Sequence, residues 1–147
     1  GNGLRLSGRA SYGFPLGSGM CVGEIALDSS RSPIPERSSL ADYGGYRGFP
    51  TYPALTLVQD MILAKVTYQH SFMQTPFPLF LQGGLSVGSK SDNNGTLIST
   101  TSHPFGLLQG VETSASMALG VSTQMGDIIF GCAVDSQARI SLFLEVL

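Results

Sequence analysis

Period-two alternation of apolar and polar residues over about seven segments constrains this 147-residue chain most strongly. Around Lys65, for example, Ala64 and Val66 belong to one face of a strand and Lys65 to the other. The alternation therefore predicts an all-β, antiparallel fold of about seven strands. The segments lie near residues 4–14, 21–28, 62–72, 78–88, 114–125, 127–134 and 139–147.

The composition of the two faces separates a membrane barrel from a soluble sandwich. The polar faces carry mostly Ser, Gly and Gln, whereas a strand that faces bulk water is usually rich in Lys, Glu and Thr. The apolar faces are aliphatic, with Tyr or Phe near the strand ends, as in a lipid-facing band with aromatic girdles. Segments of about 9–13 residues also suit a tilted strand that crosses a bilayer. The pattern predicts a transmembrane β-barrel in the outer membrane of a bacterium or organelle.

The connections between the segments alternate in length. Residues 15–18, 73–77 and 125–127 are short connections, while residues 29–59 and 89–112 are long. Outer-membrane barrels have this order, with short periplasmic turns and long extracellular loops. The formal net charge of −2 argues against a nucleic-acid partner, which needs a basic face.

The strand count raises a question about closure. Single-chain bacterial barrels have an even number of strands and at least eight. An open sheet edge in lipid would leave backbone groups unsatisfied at a cost of several kcal/mol each. The chain therefore hides an eighth strand, pairs with other chains, or forms the C-terminal part of a larger barrel, and we favour the last interpretation.

The long loop 29–59 carries an unusual cluster at its centre: Gly45, Arg47, Gly48 and Phe49. Glycines allow sharp backbone turns, and a guanidinium is a fixed fork of donors that needs an acceptor when it is buried. We expect a loop that folds into the lumen with Arg47 as its anchor. We also expect three cations on polar faces to line the lumen: Arg5, Arg9 and Lys65.

The same loop resembles a known family. The runs Ile34-Pro35-Glu36 and Tyr43-Gly44-Gly45-Tyr46-Arg47-Gly48-Phe49 resemble the sixth extracellular loop of BamA-type barrels, the outer-membrane assembly and secretion superfamily (bacterial surface antigen superfamily). Downstream, Phe80-Leu81-Gln82-Gly83-Gly84 is similar to the family's Phe-x-Asp-x-Gly strand. Leu119-Gly120-Val121 and Met125-Gly126-Asp127-Ile128-Ile129 are similar to its penultimate hairpin.

The resemblance implies that residues 1–147 are the C-terminal portion of a barrel of about 16 strands, preceded by periplasmic POTRA modules. Such barrels insert or secrete other outer-membrane proteins, so the implied partners are the lipid bilayer, the remaining strands and unfolded client proteins. The family also implies an acidic partner for the loop arginine. Gln82 stands at that position here, and Glu24 or Asp28 are the alternative partners.

Two other functions stay open. The barrel of a patatin-like autotransporter shares this architecture and would anchor a lipase encoded upstream. A small stand-alone barrel would act as an adhesin or a pore.

Enzymatic chemistry within the chain is not expected. Gly84-Leu85-Ser86-Val87-Gly88 matches the G-x-S-x-G nucleophile motif, but no helical pattern follows it as that motif requires. His70 and His103 lack Cys or carboxylate neighbours at metal-ligand spacing, so we expect no metal site and no cofactor.

Overall fold

The described part of the protein consists mainly of one seven-stranded antiparallel β-sheet, with a second sheet of two short strands. A computed structural model describes residues 4–31, 41–45, 48–52, 56–72, 78–91, 105–106 and 108–146. Seven long strands pair in the order β1-β2-β5-β6-β7-β8-β9, and β3 pairs with β4. This order confirms the predicted all-β antiparallel fold of about seven strands. The strands are β1 (Leu4–Leu16), β2 (Gly19–Arg31), β3 (Ala41–Asp42), β4 (Leu57–Val58), β5 (Asp60–Phe72), β6 (Leu79–Lys90), β7 (Glu112–Thr123), β8 (Gly126–Asp135) and β9 (Ile140–Val146).

The connections differ at the two ends of the sheet. At one end, residues 17–18 join β1 to β2 and residues 124–125 join β7 to β8. Gly17 has a φ of 61°, as the first position of a two-residue hairpin turn requires. At the other end lie the long connections 32–59 and 91–111 and the four-residue turn 136–139. Among the described residues, no helix is long and apolar enough to cross a membrane.

The sheet has two unlike faces, which we call the apolar face and the polar face. Large apolar side chains stand exposed on the apolar face, including Leu85 at 66%, Met117 at 60% and Leu144 at 70% of their full surface. The polar face is largely covered, and even Lys65, Ser86 and Ser114 are buried there. Burial is thus inverted relative to a soluble sheet that packs its apolar side inward.

Residues of the 32–59 connection contact the polar face on two strands that are three places apart in the sheet order. Lys65 on β5 donates to the Gly48 carbonyl, and Asp135 on β8 accepts from Thr51. Within the described residues, the outer edges of β1 and β9 have no strand partner. A closed barrel of about 16 strands remains a prediction.

Candidate functional site

A short segment of the 29–59 loop lies over the polar face. We call residues 41–45 and 48–52 the covering segment. Its chain doubles back on itself: the Phe49 amide donates to the Tyr43 carbonyl at 2.7 Å, and the Gly45 amide donates to the Tyr52 carbonyl at 2.9 Å. Gly45 has a φ of 84°, which glycine adopts without strain. A β-carbon on Gly48 would overlap the Tyr43 backbone, so this turn requires glycine there.

Three aromatic rings hold the covering segment together. Tyr43 and Phe49 are fully buried, and their rings stack with centroids 5.4 Å apart and an interplanar angle of 10°. Tyr52 packs edge-on against Tyr43, with ring centroids 5.4 Å apart. Met61 and Leu63 of β5 belong to the same buried cluster. These contacts supply the apolar burial that anchors the segment to β5.

A buried carboxylate fixes the segment to β7. The Tyr43 hydroxyl donates to Glu112 Oε1 at 3.0 Å, and the Tyr52 hydroxyl donates to Glu112 Oε2 at 2.9 Å. Arg139 Nη2 donates to the same Oε2 at 3.1 Å and to the Tyr52 hydroxyl at 2.5 Å. Charge-assisted bonds of this kind are stronger than neutral ones. Loss of the Glu112 carboxylate would leave several donors without an acceptor.

A second carboxylate extends this arrangement to the β8–β9 turn. Asp135 accepts from Arg139 Nε at 2.8 Å and from the Thr51 hydroxyl at 2.7 Å. The Arg139 guanidinium also lies over the Tyr52 ring, 4.1 Å from its centroid. We call these residues the Glu112 cluster: Tyr43, Thr51, Tyr52, Glu112, Asp135 and Arg139. The cluster joins the long loop to β7, to the end of β8 and to the β8–β9 turn.

The two phenols of the cluster are held in their protonated form. Burial, followed by the charge of Glu112 and the hydrogen bond to it, raises the pKa of Tyr43 far above its ordinary value. The pKa of Tyr52 is also raised, chiefly by burial, although its bond from Arg139 opposes the shift. Both hydroxyls therefore donate hydrogen bonds to Glu112, and these bonds hold the covering segment against β7.

The residues predicted for the loop tip are only partly described. Gly45, Gly48 and Phe49 lie in the covering segment. Arg47 lies outside the described residues, so its anchoring role stays a prediction. The tip does meet a predicted lumen-facing cation, because Lys65 Nζ donates to the Gly48 carbonyl at 3.4 Å.

The three candidate partners of Arg47 lie at different distances from the tip. Glu24 pairs in register with Lys65 and is thus close to the Gly48 contact. Asp28 accepts from Arg5 at 3.1 Å. Gln82 is four residues along β6 from Ser86, which pairs in register with Lys65. Four strand residues span roughly 13 Å, so Gln82 lies farther from the Lys65–Gly48 contact than Glu24 does.

The remaining predicted lumen charges lie on the edge strand β1. The side chain of Arg5 is 46% exposed and pairs with Asp28 on β2. Arg9 is exposed on the same face. Both belong to a depression of about 400 Å³ that Asp28 and Asp42 also line.

Comparison with known proteins gives no match. No family model, no curated protein and no solved structure matches the chain. The similarity to BamA-type barrels therefore stays a prediction from the motifs.

The sequence did not identify the residues that hold the loop in place. Glu112 falls at the boundary of a predicted loop, and the structure makes it the first residue of β7. Its position two residues before Ser114, in the polar phase of that strand, is the signal that points to it. The G-x-S-x-G match lies within strand β6, where Ser86 is buried on the polar face.

Proposed function

We propose that this chain is a sector of a transmembrane β-barrel of the outer-membrane assembly and secretion superfamily. The observation that carries the proposal is the exposed apolar face, which runs without interruption across seven strands. Soluble monomers rarely expose apolar patches larger than a few hundred Å². A bilayer covers such a face on every strand at once, and it leaves the polar side for a lumen.

The covered polar face supports the same proposal. A barrel wall encloses polar side chains and requires their hydrogen bonds to be satisfied inside. Here the covering segment satisfies Glu112 and Asp135 and contacts Lys65. In a closed barrel the segment would occupy the lumen on the side of the long loops. It would then narrow the lumen, and it would keep a fixed contact with the inner surface of the barrel wall.

Membrane embedding is tested with the native thiol of Cys132, which is exposed on the apolar face of β8. The full chain is folded into phosphatidylcholine vesicles with Cys21 replaced by Ser, and Cys132 is labelled with an environment-sensitive fluorophore. Brominated lipids should quench this label strongly. The matched variant carries the label at Gln69→Cys on the polar face, with Cys132 also replaced by Ser, and should be quenched weakly. Equal quenching of the two labels contradicts the proposal.

The activity is tested separately from the embedding. We expect vesicles that contain the folded chain to accelerate the insertion of a urea-unfolded, eight-stranded outer-membrane protein relative to empty vesicles. Vesicles with an unrelated barrel of similar mass control for bilayer defects. Insertion that is no faster than in this control would contradict the proposed assembly role. It would not contradict the proposed membrane architecture.

A further inference from the structure

Within the part of the chain that the structure describes, the backbone donors and acceptors on the outer edge of β1 are unpaired over most of the strand. Leu16 and Gly19 flank the two-residue turn and so form a hydrogen-bonded pair. Bonding then alternates along β1, so the even-numbered residues bond to β2 and the odd-numbered ones point outward. Pro15 is odd-numbered and lacks an amide hydrogen, which suits an edge position. The open donors and acceptors therefore run from Arg5 to Gly13.

The outward-bonding residues of β1 also place their side chains on the polar face. Arg5, Ser7, Arg9 and Ser11 alternate there. Arg5 is engaged by Asp28, whereas Arg9 forms no hydrogen bond or ion pair within the described part of the chain. Arg9 is also at the centre of the open stretch. The edge thus presents a row of backbone donors and acceptors with the Arg9 guanidinium at its middle. Asp28 and Asp42 line the same depression as Arg9, but no described carboxylate is hydrogen-bonded to this guanidinium.

We propose that the edge of β1 between Arg5 and Gly13 binds an antiparallel strand that carries a carboxylate on the polar face beside Arg9. This inference rests on the proposed function, since only a barrel sector requires its edge strand to be paired. Side chains that lie directly opposite on neighbouring strands are about 5 Å apart, which is within reach of an ion pair. Arg9 would then select its neighbour by charge as well as by backbone bonding.

A second copy of the chain does not fit this edge. Seven strands in a meander leave β1 and β9 running in the same direction, so copies related by rotation about a barrel axis would pair these edges in parallel. Pairing β1 with β1 of a second copy, centred on Arg9, would place the two Arg9 side chains opposite each other. Like charges at opposite positions destabilise a strand pair. A strand of different sequence is therefore the occupant.

The test uses three synthetic peptides and the full chain in detergent micelles. Each peptide is an eleven-residue strand of alternating Val and Thr that differs only at its centre, which is Glu, Gln or Lys. We expect the Glu peptide to bind about five- to tenfold more tightly than the Lys peptide, as measured by fluorescence anisotropy. Arg9→Gln should reduce this difference to less than about twofold, and Arg9→Glu should invert it. Ser11→Pro removes one outward amide and should weaken all three peptides.

The outcomes separate this inference from the proposed function. Equal binding of the three peptides, or a preference that Arg9→Gln leaves intact, overturns the inference even when the Cys132 label reports embedding. Self-association that Ser11→Pro abolishes would also overturn it, because the edge would then bind a second copy. Weak quenching of the Cys132 label overturns the proposed function independently of how the peptides bind.

Discussion

The two faces of the sheet are made of the same strands but differ in burial: polar groups are covered on one face, and large apolar side chains are exposed on the other. On the polar face, buried Glu112 and Asp135 are saturated with donors from the covering segment and Arg139. On the apolar face, Met117 and Leu85 stand largely uncovered. The difference lies in what each face needs from its surroundings. Polar groups need specific partners, which the covering segment and Arg139 supply to Glu112 and Asp135, whereas apolar groups need only a non-aqueous medium.

The largest expected effect comes from placing a charge on the apolar face. Met117→Arg should destabilise the vesicle-embedded chain by about 2–4 kcal/mol, because the residue lies midway along β7. Ser122→Arg, an exposed site in the polar phase at the end of the same strand, should change the stability by less than about 1 kcal/mol. Urea unfolding from vesicles measures both. Equal, small effects would mean that water, and not lipid, contacts Met117.

The next effect comes from removing the buried carboxylate that holds the covering segment on the polar face. Glu112→Ala leaves the hydroxyls of Tyr43 and Tyr52 without their acceptor, and we expect a loss of about 2–3 kcal/mol. Because the loss falls on the covering segment, limited proteolysis should cut within residues 41–52 first. Protection equal to that of the unsubstituted chain would show that the aromatic packing holds the segment without the carboxylate.

Alanine substitutions at two glycines, one on each face, compare the faces directly. A β-carbon on Gly88 would lie 2.5 Å from the hydroxyl of the fully buried Tyr43, while one on Gly23, in the apolar phase of β2, would meet nothing within 4 Å. Gly88→Ala should therefore cost about 1–2 kcal/mol in urea unfolding, and Gly23→Ala should be close to neutral. Similar costs at both sites would indicate that the covering segment is not seated on β6.

The smallest expected loss of stability at neutral pH comes from removing the Tyr43 hydroxyl. Its pKa is raised in the folded chain, so the stability that it contributes is complete below the unfolded value of 10.0 and is lost as the pH rises above it. Absorbance at 295 nm should show this phenol ionising only as the chain unfolds. Tyr43→Phe should remove that late step and cost about 1 kcal/mol at pH 7. A normal titration near pH 10 would place Tyr43 in water.

The strands were predictable because their signal is local. Alternation around Lys65 and along β7 is contained within a dozen residues, and it assigns both the strand and its faces. The strand ends were less well defined: β6 continues to Lys90 and β7 begins at Glu112, inside the predicted loop.

The Glu112 cluster was not predictable because its contacts are long-range. Tyr43 and Glu112 are 69 residues apart, and Arg139 and Tyr52 are 87 residues apart. No local pattern around any of these residues indicates that they meet in the folded chain. Arg47 is conspicuous in the sequence because Gly45 and Gly48 lie close to it, whereas Tyr52 and Arg139 have ordinary surroundings. β3 and β4 have two residues each, too few to show a period.

The most direct test of the two-faced sheet is a spin-label scan along β7 in vesicles. Both cysteines are replaced by Ser, and one nitroxide is placed in turn at each position from 113 to 121. We predict that collisional access to oxygen, which concentrates in the bilayer, peaks at Ala115, Met117 and Leu119 and falls at the alternate positions. A flat profile, or access of a water-soluble nickel chelate at Met117, would contradict the account.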